Sequence, residues 1–283
     1  MVDSALVDSG SDGIARARER ALRFVEATGD ERARHRARAL AGAAPASQLV
    51  EWLERHASEG GGAASAAAAA SGAELAAARA TLAALADLGA LHGSLVERAV
   101  ATLAAAQRAD GSFAPAGEAS ETAAIEATGR LLGLLARTPC VRASLLDAGA
   151  VWLAARFSPE RVQGFAWGPL AAYAAAFSNV PHEDADAILQ WCGRELERGF
   201  RAGAFDGVAT ARVLLDCDAP SLPGARLAAQ EVVVSILGAQ QGDGGFAPGA
   251  GGADRVERSL DALAALARLA GARTQAAPPR APA

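Results

Sequence analysis

The chain has 283 residues, 77 of them alanine, all 27 of its basic residues are arginine, and its formal net charge is −5. Ala, Leu, Arg and Glu are strong helix formers, and isoleucine occurs only four times, so a β-sandwich or barrel is excluded in favour of a nearly all-α protein. An acidic balance with a pI near 5.5 speaks against a general nucleic-acid or anionic-membrane binder.

The N-terminus, MVDSALVDSGSDG, is acidic and lacks the basic-then-apolar layout of a secretory signal. Residues 1–11 are expected to be disordered, and 12–273 to form a single domain. Within it, residues 12–44 are helical in composition and supply one hairpin. They include the stretch Arg32-Ala-Arg34-His35-Arg36-Ala-Arg38, read as a solvated helix face with internal ion pairs, the alternative being a phosphate or partner site. Gln48 to His56 and Glu74 to Leu88 read as an outer and an inner helix joined by a low-complexity loop, 59–72. Val96, Val100, Leu103 and Gln107 then share one helical face.

At that point the chain reads Gln107-Arg-Ala-Asp110-Gly111-Ser-Phe113-Ala-Pro115, and 133 positions later Gln240-Gln-Gly-Asp243-Gly244-Gly-Phe246-Ala-Pro248. Each copy, Q-x-x-D-G-x-F-A-P, is followed by another helical face: Ile125, Thr128, Leu132 and Leu135 after the first, Leu260, Leu263, Leu266 and Leu269 after the second. Two weaker copies lie between, Gly164-Phe165-Ala166 and Ala204-Phe205-Asp206-Gly207. They follow the segments Val151 to Phe157 and Ala187 to Arg198. The anchors Phe113, Phe165, Phe205 and Phe246 are 52, 40 and 41 residues apart. A period in the forties built of helix, Gly-Phe turn and helix indicates five or six stacked αα-hairpins sharing one core. Glu231 to Leu237 is β-branched enough to read as a strand, but its place in the repeat makes it a helix. The tail, 274–283, is expected to be disordered. No apolar run reaches the roughly 18–20 residues of a membrane span. Cys140, Cys192 and Cys217 have no CxxC spacing, which reads as reduced thiols and a cytoplasmic location.

These repeats resemble the QW-type motif of the terpenoid cyclase and protein prenyltransferase superfamily, over about residues 95 to 270. The resemblance implies an α/α toroid with an inner helical ring around an apolar cavity. It also implies a polyprenyl or other apolar ligand, and a partner domain or homodimer. The motif has a physical logic of its own. Gln107 and Gln240 can bond orphan backbone groups at helix ends, Asp110-Gly111 and Asp243-Gly244 tolerate a left-handed turn, and the Phe plugs the junction between hairpins.

The superfamily's proton-initiated cyclases carry Asp-x-Asp-Asp at the start of an inner helix. Here that place reads Glu118-Ala-Ser120-Glu121, with a serine where the acid would stand, and a hydroxyl cannot protonate an alkene. The candidate acids are therefore Glu118 and Glu121, with Asp206 at another inner-helix start. Asp184 and Asp186 are runners-up that also read as an acidic first turn of an outer helix. Phe165, Trp167, Tyr173 and Phe205 are candidate ligand-binding rings, able to stabilise a carbocation or flank an isoprenoid chain, or else they are plugs and core. A zinc set like that of the prenyltransferases is not found. Asp216-Cys217-Asp218 lacks the spacing and no His follows His182, so Cys217 reads as a small buried hydrophobe and no cofactor is expected, with magnesium left open. The chain is thus expected to bind a polyprenyl or other apolar ligand in a central cavity. If an enzyme, it is expected to be of the isoprenoid cyclase or prenyltransferase class, acid-initiated cyclisation with a degenerate motif being the most natural. The alternative is a non-catalytic repeat scaffold for a protein or lipid. An (α/α) barrel acting on carbohydrate is a third reading, without paired carboxylates at a supporting spacing.

Overall fold

The computed structural model describes residues 4–60, 72–113, 120–249 and 254–276. The expectations for 59–72 and 274–283 fall largely outside this set, whereas the first helix begins at Ser4, within the 1–11 expected to be disordered. The described residues are all-helical, with thirteen helices and no strand, and no helix among them is long and apolar enough to cross a membrane. The helices fall into pairs: α1 (Ser4–Thr28) with α2 (Glu31–Ala41), α3 (Ala46–Gly60) with α4 (Gly72–Asp87), α5 (Ser94–Ala104) with α6 (Glu121–Ala136), α7 (Ala143–Ala154) with α9 (Trp167–Asn179), α10 (Ala185–Arg201) with α11 (Gly207–Asp216), and α12 (Ala229–Ala239) with α13 (Arg255–Ala276). A single turn, α8 (Pro159–Val162), interrupts the fourth pair. The β-branched run from Glu231 lies in α12, as its place in the repeat requires.

Local chemistry sets the starts of the second helices. The side chains of Asp30, Ser120 and Asp206 each accept a bond from a first-turn N–H, at Ala33 (2.7 Å), Ala123 (3.2 Å) and Ala209 (2.9 Å) respectively. Ser120 is therefore the N-cap of α6, which gives the residue at the expected acid position a structural use.

The second helices touch one another in a fixed order. α2 packs on α13, α13 on α11, α11 on α9, α9 on α6 and α6 on α4, and the ion pair of Arg36 with Asp87 joins α4 back to α2. The buried apolar residues fall into two clusters. One runs from α3 to α11, and the other unites α1 and α2 with α11, α12 and α13.

The two full repeats are the same device used twice. The Gln107 amide donates to the carbonyl of Gly111 in its own turn (3.0 Å) and to Leu145 in α7 (2.9 Å). The Gln240 amide donates to Gly244 (2.9 Å) and to Ala17 in α1 (2.9 Å). Gly111 and Gly244 have φ of 92° and 93°, and a side chain there would run into the backbone at Ala148 and Arg20, so only glycine fits. Asp110 and Asp243 accept from the N–H two residues on, both at 3.0 Å. Phe113 and Phe246 are buried, their N–H groups donating to Thr128 (2.9 Å) and Ser259 (3.2 Å) on the following helix. Each glutamine thus ties one turn to the first helix of a neighbouring pair. For the second copy that neighbour is the first helix of the chain, so the last pair is joined to the first.

Small residues bring α6 and α9 together. A Cβ on Gly129 or Gly133 would lie 2.5 Å from the carbonyl oxygen of Ala172 or Ala175, so these glycines let two backbones meet with nothing between them. Gly129→Ala gains about 1 kcal/mol of helix propensity but must push backbone atoms apart. The expected net result in urea unfolding is a destabilisation of about 1–3 kcal/mol. Gln240→Ala is expected to cost about 1–2 kcal/mol and to speed amide hydrogen exchange in α1, whereas an unchanged exchange rate would show that the turn does not hold α1.

Candidate functional site

The six second helices surround a cavity of about 740 Å³, and each contributes to its wall. Its lining differs from the apolar one expected. Arg32, Arg36, Arg79, Arg130, Arg137, Arg212 and Arg258 reach it, against the carboxylates of Asp30, Asp216, Asp254, Glu257 and Asp261. Asp30 and Asp254 cap α2 and α13, and Asp87 and Asp206, outside the lining, pair with Arg36, Arg212 and Arg258, so the charges nearly balance in number. The apolar share of the wall comes from Leu134, Leu260, Val256 and Trp167 and from alanines of α4 and α9.

One carboxylate organises the cationic side. Asp87, at the end of α4, has a side chain only 2% exposed and accepts from Arg36 of α2 at 2.6 Å and from Arg212 of α11 at 2.9 Å. Arg36 also reaches Glu257 (3.0 Å), while Arg212 reaches Asp216 (2.7 Å) and Asp261 (3.5 Å). Arg137, just past α6, donates to the carbonyls of Ala86 and Leu215, both at 3.3 Å, where α4 and α11 end. Beyond this cluster a second, more open recess of about 700 Å³ shares Ala86 and Arg137 with the cavity.

The charges respond to one another. Burial raises the pKa of Asp87, but Arg212 and Arg36 outweigh it and hold the carboxyl below its ordinary value. Burial likewise opposes the charge on Arg36 and Arg212, and the carboxylates reverse that effect. Asp261 goes the other way: burial, helped by the like charges of Asp87 and Asp216, exceeds the pull of Arg212 and Arg36 and lifts it to about 6. Arg32 is lowered, first by burial and then by the like charge of Arg36.

Several lining arginines keep donors in reserve. The Nε–H groups of Arg36, Arg130 and Arg258 are buried without an acceptor in the protein. Arg32, Arg79 and Arg130 form no ion pair among the described residues, and Arg137 meets only backbone carbonyls.

The expected site residues do not converge on this cavity. Glu118 lies outside the described residues. Glu121 opens α6 on the surface, paired with Arg156 (3.7 Å) and Arg161. Asp206 caps α11 and pairs with Arg258. Asp184 and Asp186 are exposed at the start of α10, a first helix that takes no part in the lining. Of the rings, only Trp167 reaches the cavity. Tyr173 is buried against Phe157 and Phe177, its hydroxyl donating to Arg156 O (2.9 Å). Phe205 is buried under Trp167 (centroids 5.3 Å apart) and Phe165 is 42% exposed. Cys217 is buried, its thiol pushed up to about 12 by burial. Among the described residues no group of three or more His, Cys, Asp or Glu could hold a metal ion.

The stretch from Arg32 to Arg38 is not a uniformly solvated face. Arg34 is exposed and Arg38 pairs with Glu26 (3.0 Å), while Arg32 and Arg36 turn to the cavity. The signal that could have marked the cluster is a charged residue inside an otherwise apolar helical stretch. Arg130 precedes Leu131-Leu132, Asp261 stands between Leu260 and Ala262, and Arg212 and Asp216 are one turn apart. No protein-family model, no curated protein and no solved structure matches the chain.

The raised carboxyl sets a pH dependence. A group that binds its proton more tightly when folded contributes stability that is complete below its unfolded pKa and is lost as pH rises through the folded one. For Asp261 that window ends near pH 6. Asp261→Asn, which cannot ionise, is therefore expected to be more stable than the parent at pH 7.5 and to lose that advantage by about pH 4, measured as the urea midpoint. A variant less stable than the parent at pH 7.5 would show that the pairing with Arg212 outweighs burial.

Proposed function

We propose that the chain is an α/α toroid of the kind its repeats resemble, and that its central cavity binds a small amphiphile with an anionic head. An isoprenoid diphosphate is the type that combines the resemblance with the chemistry of the wall. The observation that carries this reading is the set of lining arginines without a carboxylate partner among the described residues, Arg32, Arg79, Arg130 and Arg137, with the buried Nε–H donors of Arg36, Arg130 and Arg258 unmatched by any protein acceptor. Buried N–H groups are normally paired, and a phosphate presents several acceptor oxygens to guanidinium groups in the geometry they favour. Ala80, Ala83, Leu134, Ala171, Ala175 and Trp167 offer a chain the apolar part of the wall, and the volume suits a small-molecule site.

The reading is one of binding. Acid-initiated cyclisation draws no support from Glu121 or Asp206, whose carboxylates are engaged by arginines. Calorimetric titration with farnesyl diphosphate, inorganic diphosphate, farnesol and squalene tests it. The diphosphates are expected to bind and the neutral compounds to bind at least tenfold more weakly, since a charge-assisted bond is worth about 1.5–3 kcal/mol. Arg130→Gln and Arg32→Gln should each weaken diphosphate binding by about tenfold. Farnesol binding as tightly as its diphosphate, or no binding of any diphosphate, would overturn the reading.

A further inference from the structure

Of the carboxylates in the charged cluster, Asp261 is the least well held. Arg212 gives its Nε and Nη2 donors to Asp216, at 3.1 and 2.7 Å, and its Nη1 donor to Asp87 at 2.9 Å. Asp261 is left with the same Nη1 group at 3.5 Å, the longest carboxylate contact in the cluster. The two Nη groups of Arg36 go to Asp87 and Glu257. Asp87, Asp216, Glu257 and Asp261 thus share two guanidiniums. The side chain of Asp261 is only 15% exposed, and it lines the cavity.

Charges of both signs face it. α2 presents Arg32 and Arg36, α11 presents Arg212 and Asp216, and α4 presents Asp87 and Arg79, with Arg130 and Arg137 of the α6 side across the cavity. On α13 itself Asp254 caps the helix, and Glu257 and Arg258 lie one turn before Asp261, Arg258 pairing with Asp206. α1 and α12 also pack on α13, and their charges are used elsewhere. Arg18 and Arg20 meet backbone carbonyls, Glu19 pairs with Arg23, Glu26 with Arg38 and Glu231 with Arg201. No histidine is among the lining residues described.

We infer that anion binding in the cavity is coupled to a proton on Asp261, so that the pocket loads its ligand in acid and releases it as the pH rises. The inference rests on the reading of the cavity above and adds its regulation. Ionised, Asp261 repels an incoming phosphate and competes with it for Arg212. Protonated, by a proton taken from solvent, it gives up that competition, and its O–H can donate to a phosphate oxygen. Burial and the like charges of Asp87 and Asp216 already lift the free carboxyl to about 6, and an anion beside it lifts it further. A ligand with that effect binds most tightly below the free pKa and weakens as pH rises toward the bound one.

The test is calorimetric titration of inorganic diphosphate into the parent, Asp261→Asn and Asp261→Ser between about pH 5 and pH 8. Protonation of the diphosphate itself is common to all three proteins, so the ratio of variant to parent affinity isolates Asp261. That ratio is expected to rise by about tenfold across the range, to the disadvantage of the parent at high pH. The parent should also take up more protons on binding than either variant, read from heats in buffers of different ionisation enthalpy. A ratio that is independent of pH, or equal proton uptake in all three proteins, would overturn the coupling and leave the cavity reading standing. If diphosphate binds none of them at any pH in the range, the cavity reading fails and the coupling fails with it.

Discussion

The arrangement depends on Asp87. A carboxylate buried at the end of α4 would be prohibitively costly alone, and it is tolerated because Arg36 and Arg212 meet it from α2 and α11. Those two guanidiniums would be equally costly without it. The three groups require one another, and in meeting they join helices widely separated in the chain. Arg137 adds the backbone carbonyls at the ends of α4 and α11 to the same knot. Such a cluster contributes little net stability, because desolvation consumes most of the Coulomb gain. It does penalise arrangements in which one partner is missing, and so acts on which packing is chosen.

Around that knot, the alanine excess acquires a role. Helices can surround a cavity of modest size only if their backbones approach closely. Gly129 and Gly133 against Ala172 and Ala175 make that approach at the junction of α6 with α9. Alanine on the wall leaves room in which the long arginine side chains project. A leucine-rich wall would have filled the same space, and the charged side chains would have had nowhere to lie.

The acidic net charge of the chain is therefore a poor guide to its interior. Some acidic groups cap N-termini or pair on the surface, as Asp206 and Glu121 do, while Asp87, Asp216 and Asp261 sit among the arginines of the second helices. Arginines collect among the second helices. The net charge of −5 argues against a basic outer surface, and it carries no information about how charge is distributed around the cavity.

Helix content, the hairpin period and the chemistry of the Q-x-x-D-G-x-F turn were legible in the sequence because they depend on neighbours within a few residues. Gln107 and Gln240 carry an identical local pattern and make identical bonds, and the place of Glu231 to Leu237 in the repeat outweighed its β-branched composition. The acid candidates were chosen by position in a motif. Position in a motif cannot reveal that Ser120 caps α6 or that arginines 35 and 40 residues beyond Glu121 pair with it. The exposure of Phe165 was equally invisible, since Gly164-Phe165-Ala166 reads like the turns of the buried anchors and only its backbone geometry sets it apart. The cavity and its charge were decided by tertiary structure alone. Arg36, Asp87, Arg212 and Asp261 belong to four helices, and charges buried in such a cluster have meaning only through partners that folding brings within reach.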